Sequence, residues 1–160
     1  MDVSFSAEEY FQRGQGALAE SQLPAALENF RAAHRIDPSS PRFRSYLGLV
    51  VGLSERRFDK ALELCRSAAK EEFFNPELYL NLARVHLTFG FKSEGIRYLR
   101  RALMIAPAHD ATIAELNRLG LRRRPALGFL RRGNLFNRLA GRFMGWAGRG
   151  PVEPGLQPPG

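Results

Sequence analysis

The sequence predicts an all-α protein built from a repeated helical hairpin. The first observation behind this is a ladder of small residues, Gly14, Gly48 and Ala83, spaced 34 and 35 apart. Three further ladders carry the complementary spacing of 35 and 34: Ala26, Ala61, Gly95; Phe30, Cys65, Leu99; and Ala33, Ala68, Ala102. The shared one-residue slip implies a single insertion between Gly48 and Ala61, in the segment VVGLSERRFDKA. The second observation is that helix-start signals recur with the same period. The third is a composition of 44% hydrophobic and 25% charged residues, which is that of a soluble globular chain.

The elements follow in order. Ser6-Ala7-Glu8-Glu9 reads as a capping box, in which the serine accepts from first-turn amides and Glu9 reaches back. It opens a first helix over 7–20. Leu23-Pro24 is a turn followed by a first-position proline and opens a second over 24–36. Ser40-Pro41 and Asn75-Pro76 each place a capping side chain before a proline. They open helices over 41–54 and 76–89, whose partners are expected over 58–72 and 92–105. A seventh helix, 110–119, begins at Asp110 with Ile113 and Leu116 on one face, and Gly120 ends it. Such a helix would cover the open end of the last repeat.

Tyr10 and Tyr79 begin two of the units; Pro38 and Pro107 end two, with Phe73 between them. The pattern over residues 7 to 109 resembles the tetratricopeptide repeat (TPR), a helix-turn-helix unit of 34 residues. It departs from that family at Arg13 (usually leucine), Arg44 (usually aromatic) and Phe73 (usually proline). The middle unit is therefore where packing differs most from the pattern. The resemblance implies a short right-handed solenoid: a lead-in at 1–6, repeats at 7–40, 41–75 and 76–109, and a capping helix at 110–119.

In TPR proteins the first helix of each unit lines a concave surface. The resemblance places Phe11, Gln15 and Leu18 there from the first unit. Arg42, Ser45, Leu49 and Leu53 come from the second, and Glu77, Leu80, Arg84 and Leu87 from the third. Leu49 and Leu80 are expected to meet water, so that charge introduced there would leave the helices intact. A subset of the family grips the C-terminal carboxylate of chaperones with lysines and asparagines. Here those positions hold Phe11, Gln15, Tyr46, Glu77 and Asn81. The cations are missing, so chaperone-tail capture is not expected. The apolar lining suits an amphipathic helix or an apolar extended segment of another protein.

Charge is divided along the chain. Through Glu115 the acids and bases balance, whereas Leu116 to Arg149 holds nine arginines and no acid. The net charge of +8 belongs to that arm. Its cations include Arg122, Arg123, Arg124, Arg131, Arg132, Arg138 and Arg142. Leu135, Phe136, Leu139, Ala140, Phe143, Met144 and Ala147 share one helical face, with Trp146 at its edge. The arm is read as 120–147 with an amphipathic helix at 134–147, followed by a disordered Pro/Gly tail at 148–160. Docking on the chain's own solenoid ranks first for this helix. A partner or an anionic membrane surface follows, and nucleic acid comes last because no sequence-reading motif is present. The extension resembles those of small bacterial TPR proteins, which implies a bacterial lineage.

Motifs for chemistry are lacking. His34, His86 and His109 are scattered, and a zinc site needs about four converging ligands, so no metal is expected. Gly14-Gln15-Gly16 lies inside a helix, without the strand-turn-helix context of a dinucleotide fingerprint, so no cofactor is expected. Cys65 takes the place of a large apolar residue in its ladder and reads as buried and inert. The chain has no apolar run approaching the roughly 20 residues of a membrane span and no secretory leader at its start, and one cysteine fits a reducing compartment. The expected protein is a non-enzymatic cytoplasmic TPR adaptor that binds a protein partner in its groove. The alternatives are a dedicated chaperone of a secreted or membrane protein, and an assembly factor peripheral at the inner face of the membrane.

Overall fold

The computed structural model describes residues 5–120, which form seven α-helices and contain no strand. They are α1 (Ala7–Ala19), α2 (Leu23–Ile36), α3 (Pro41–Glu55), α4 (Phe58–Glu71), α5 (Pro76–Thr88), α6 (Lys92–Ile105) and α7 (Asp110–Arg118). Each lies within one residue of its expected bounds. The arm at 120–147, its helix at 134–147 and the tail at 148–160 fall outside the described residues, apart from Gly120.

The helix starts divide into two kinds. Ser6, Ser40 and Asn75 cap α1, α3 and α5 with their side chains. In the capping box of α1, the Glu9 amide donates to Ser6 Oγ at 3.2 Å and the Ser6 amide donates to Glu9 Oε2 at 2.7 Å. The second helices α2, α4 and α6 have no side-chain cap. Their starts are instead set by a tight turn in which one residue takes a left-handed backbone. These residues are Ser21 (φ 60°), Arg56 (φ 56°) and Gly90 (φ 84°), and they repeat the 35 and 34 spacing. Only the third is glycine, the residue that tolerates this geometry without strain, so this ladder is invisible in composition. From its first residue to its left-handed turn residue, the middle hairpin is one residue longer than the others. The inserted residue lengthens α3 after Gly48.

α1 packs on α2, α3 on α4 and α5 on α6, and the hairpins stack through α2–α3, α3–α5 and α4–α5. The small-residue ladders sit where paired helices cross. A Cβ on Gly14 would lie 2.7 Å from the Phe30 ring. A Cβ on Gly48 would lie 2.7 Å from Cys65 Sγ and 2.9 Å from the Ala61 carbonyl oxygen. In the third hairpin the missing side chain belongs to α6, where a Cβ on Gly95 would meet Leu87 at 2.7 Å and the Ala83 carbonyl at 3.3 Å. Phe30, Cys65 and Leu99 fill the space beside these crossings and are wholly buried. The Cys65 thiol donates to the Ser45 carbonyl at 3.2 Å, and burial pushes its pKa up to about 12, so it is unreactive.

The atypical residues are accommodated at the surface. The Arg13 guanidinium lies over the Phe5 ring at 4.0 Å, and Arg44 pairs with Glu71. Phe73 stacks edge-on with Phe74, both largely exposed in the α4–α5 turn. Between the second and third repeats, His86 is buried in an aromatic cage. Its ring stacks on Tyr98 at 5.3 Å and meets Phe58 edge-on at 5.6 Å. Neither ring nitrogen has a hydrogen-bond partner among the described residues.

Two predictions follow from this packing. Gly48→Ala forces a methyl against backbone and should cost about 1–3 kcal/mol. Gly16→Ala, within α1 and with open space around its Cβ, should instead stabilise by about 0.5–1 kcal/mol. Urea denaturation followed by circular dichroism reads both, and equal effects would refute the crossing argument.

The second concerns pH. Burial, then the nearby Arg66 cation, lowers the His86 pKa, with Glu94 opposing and Arg97 adding to the decrease. Burial and Arg44 lower that of His34. The unfolded imidazoles titrate near about 6.5 and so bind protons that the folded protein excludes. Stability is therefore full above about pH 6.5 and falls as pH drops below it. Glu9 and Asp37 have lowered carboxyl pKa values and act only in a more acidic range. The urea midpoint should decline between about pH 6.5 and 5, and less steeply in His86→Phe. Identical slopes would show that the caged imidazole does not carry the effect.

Candidate partner-binding groove

The first helices α1, α3 and α5 line up on one side of the stack, and α7 closes one end of the surface they form. Between them lies an open cavity of about 850 Å³. Its apolar lining is Leu18 from α1, Leu49 and Leu53 from α3, Leu87 from α5 and Leu119 after α7. The polar lining includes Gln15, Tyr46, Arg84, Lys92, Glu115 and Arg118.

The structure divides the groove residues expected from the sequence into three groups. Gln15, Leu18, Leu53, Arg84 and Leu87 are half-buried and line the cavity. Leu49 also lines it, but only 1% of its surface is exposed, so it forms the floor beneath the others. Phe11, Ser45 and Leu80 are not on the groove surface at all: they are buried and line no part of the cavity. Phe11 belongs to an aromatic cluster with Phe30, Phe43 and Tyr46. Ser45 accepts from Asn81 Nδ2 at 3.2 Å, a buried polar pair joining α3 to α5. Leu80 packs with Leu99 and Leu116. The expectation that charge at Leu49 and Leu80 leaves the helices intact is therefore corrected. Both side chains are desolvated, and a carboxylate at either site would unfold its surroundings.

Arg42 and Glu77 stand at the rim, outside the cavity lining. Arg42 lies over the Phe11 ring at 4.1 Å, with Glu8 at 3.5 Å and Glu77 at 3.8 Å. Glu77 also accepts from the Tyr46 hydroxyl, which in turn accepts from Gln15 Nε2 at 3.4 Å. Burial, reinforced by the hydrogen bond and charge of Glu77, pushes the Tyr46 pKa up to about 12. The phenol therefore stays a neutral donor, and this end of the groove is a closed polar network.

The other end was not legible as part of the site. α7 contributes Glu115 and Arg118, its C-cap contributes Leu119, and the α5–α6 turn and the start of α6 contribute Gly90 and Lys92. Glu115 is 6% exposed and is shared by two arginines. Its Oε2 takes Arg84 Nε at 3.4 Å and its Oε1 takes Arg118. The sequence signal for this was the acid three residues before Arg118 on a short terminal helix. Reading that helix only as a cover for the apolar end hid its role.

The described residues contain no cluster of histidine, cysteine or carboxylate side chains suited to a metal ion. No described helix is long and apolar enough to cross a membrane.

No family model matches the sequence, and comparison with curated proteins finds no relative. Solved structures do match. The chain is similar to the TPR domain of Arabidopsis OM64, with 18% identity over 71% of this chain and 93% of that one, at a TM-score of 0.56. It is similar to the TPR2B domain of yeast Sti1 in a pHsp70 complex, with 19% identity over 72% and 94%, at a TM-score of 0.57. YrrB, a TPR protein with an unusual peptide-binding site, matches with 15% identity and a TM-score of 0.57. The likeness covers 72% of this chain and 59% of YrrB. The seven described helices thus have the fold of a TPR solenoid.

Proposed function

We propose that this protein is a non-enzymatic adaptor that captures a segment of another protein in its concave groove. The observation that carries the reading is the open, leucine-floored cavity between α1, α3, α5 and α7. Its volume of about 850 Å³ accommodates several side chains of a bound segment. Half-buried Leu18, Leu53 and Leu87 present apolar surface that binding would remove from water, at roughly 25 cal/mol per Å². Structurally similar domains support the reading, since Sti1 TPR2B was solved with pHsp70 and YrrB has a peptide site.

A chaperone C-terminal tail is not the ligand in this reading. Of the positions that would hold a carboxylate clamp, Phe11 and Asn81 are buried and Glu77 is an acid already engaged by Tyr46 and Arg42. At those positions a C-terminal carboxylate would meet the Glu77 acid and no lysine. The basic arm is proposed as a second attachment point, either for the same partner or for an anionic membrane surface. A cytoplasmic location fits both uses.

The test is affinity capture with three forms of the protein: the full chain, a chain ending at Gly120, and the full chain with Leu53→Glu and Leu87→Glu. The two leucines are half-buried on the groove wall, and because Leu87 also packs at the Gly95 crossing, circular dichroism of the double variant is the control that its helicity is kept. A partner held by the full chain should be lost from the double variant, with an affinity at least about tenfold weaker. Retention by the double variant but loss on truncation would assign capture to the arm and refute the groove reading.

A further inference from the structure

The groove is not electrically neutral. Among the described residues its lining holds three cations, Arg84, Lys92 and Arg118, and a single carboxylate, Glu115. That carboxylate is already committed, one oxygen to each arginine. Arg84 uses only its Nε in this contact, so its two terminal nitrogens have no partner among the described residues. Lys92 has no carboxylate within ion-pair distance among the described residues. Glu77 and Arg84 are seven residues apart on α5, two turns on one face. Along α5, Arg84 therefore lies about 10 Å of helix rise beyond Glu77, toward α7.

Resting on the groove reading, we propose that the bound segment is an apolar stretch of a partner protein carrying a carboxylate side chain. That carboxylate faces Arg84, Lys92 and Arg118 at the α7 end. Guanidinium nitrogens left open in a fixed fork suit a carboxylate bidentately, and the leucine floor beside them takes the apolar residues. The same charge count argues against the chain's own arm as occupant. An arginine-rich segment without acids would add like charges to a groove that already has two cations in excess.

The segment's polarity is thus fixed: acid toward α7, apolar residues toward α3. Arg84 is held by Glu115 and so is presented in a set direction, which gives specificity more than raw affinity.

Three short peptides sharing a Leu-x-x-Leu-Leu-x-x-Leu core, with glutamate, glutamine or lysine at two sites near one end, test this by calorimetry against the full chain. The glutamate peptide should bind about tenfold more tightly than the glutamine one at low salt. That preference should shrink between about 0.05 and 0.5 M salt. Lys92→Glu with Arg118→Gln leaves the arm intact and should abolish the preference. Lys92→Glu alone places an acid at the first position of α6, which the helix N-terminus favours. It should fold normally and reduce the preference. Equal binding of the glutamate and glutamine peptides would overturn this proposal and leave the groove reading standing. A glutamate preference that survives both variants would show that Lys92 and Arg118 do not face the acid and would also overturn the proposal. Failure of all three peptides to bind would count against the groove itself.

Discussion

Close approach at the crossing of each helical pair is the constraint on which the rest of this structure depends. At Gly14 and Gly48 one added carbon would collide with the neighbouring helix, in the second case with its backbone as well as side chains. In the third pair the vacancy moves to Gly95 on the partner helix. Each crossing brings two helices close enough for Phe30, Cys65 or Leu99 to fill the remaining space completely. Because the same contact recurs in each unit, the hairpins have the same geometry and stack in register. The groove is the consequence of that stacking: three first helices side by side, with a terminal helix across one end.

The polar chemistry of the groove follows from what the packing leaves unpaired. Where side chains from neighbouring units meet, the network closes on itself, as with Tyr46, Glu77, Arg42 and Glu8. Where the solenoid runs out, the balance fails. Among the described residues Glu115 is the only acid lining that end of the cavity, and the cations around it outnumber it. Termination of the repeat thus gives one end of an otherwise apolar groove its charge.

The repeat was legible in the sequence because its steric requirement is periodic. A crossing that admits only glycine or alanine leaves a mark every 34 or 35 residues, and Ser40-Pro41 and Asn75-Pro76 mark the helices between. Depth of burial was not legible. Phe11, Ser45, Leu49 and Leu80 occupy the first-helix positions that the resemblance assigns to the groove, but periodicity gives an angle around the helix and not a distance from its surface. Ser45 is buried because Asn81, on the next unit, donates to it, a pairing with no sequence mark. The left-handed residues at Ser21 and Arg56 were missed for a related reason: neither is glycine. The part of the site contributed by α7 depends on how that helix crosses the end of the solenoid, which local pattern does not specify.

The most direct test of the account is a methyl-labelled NMR titration of the protein with the glutamate-bearing apolar peptide. The account predicts shifts in the methyls of Leu18, Leu53, Leu87 and Leu119, which line the groove, with little change at Leu62 and Leu103 on the second helices. Shifts confined to the second-helix leucines, with the groove methyls unmoved, would contradict it.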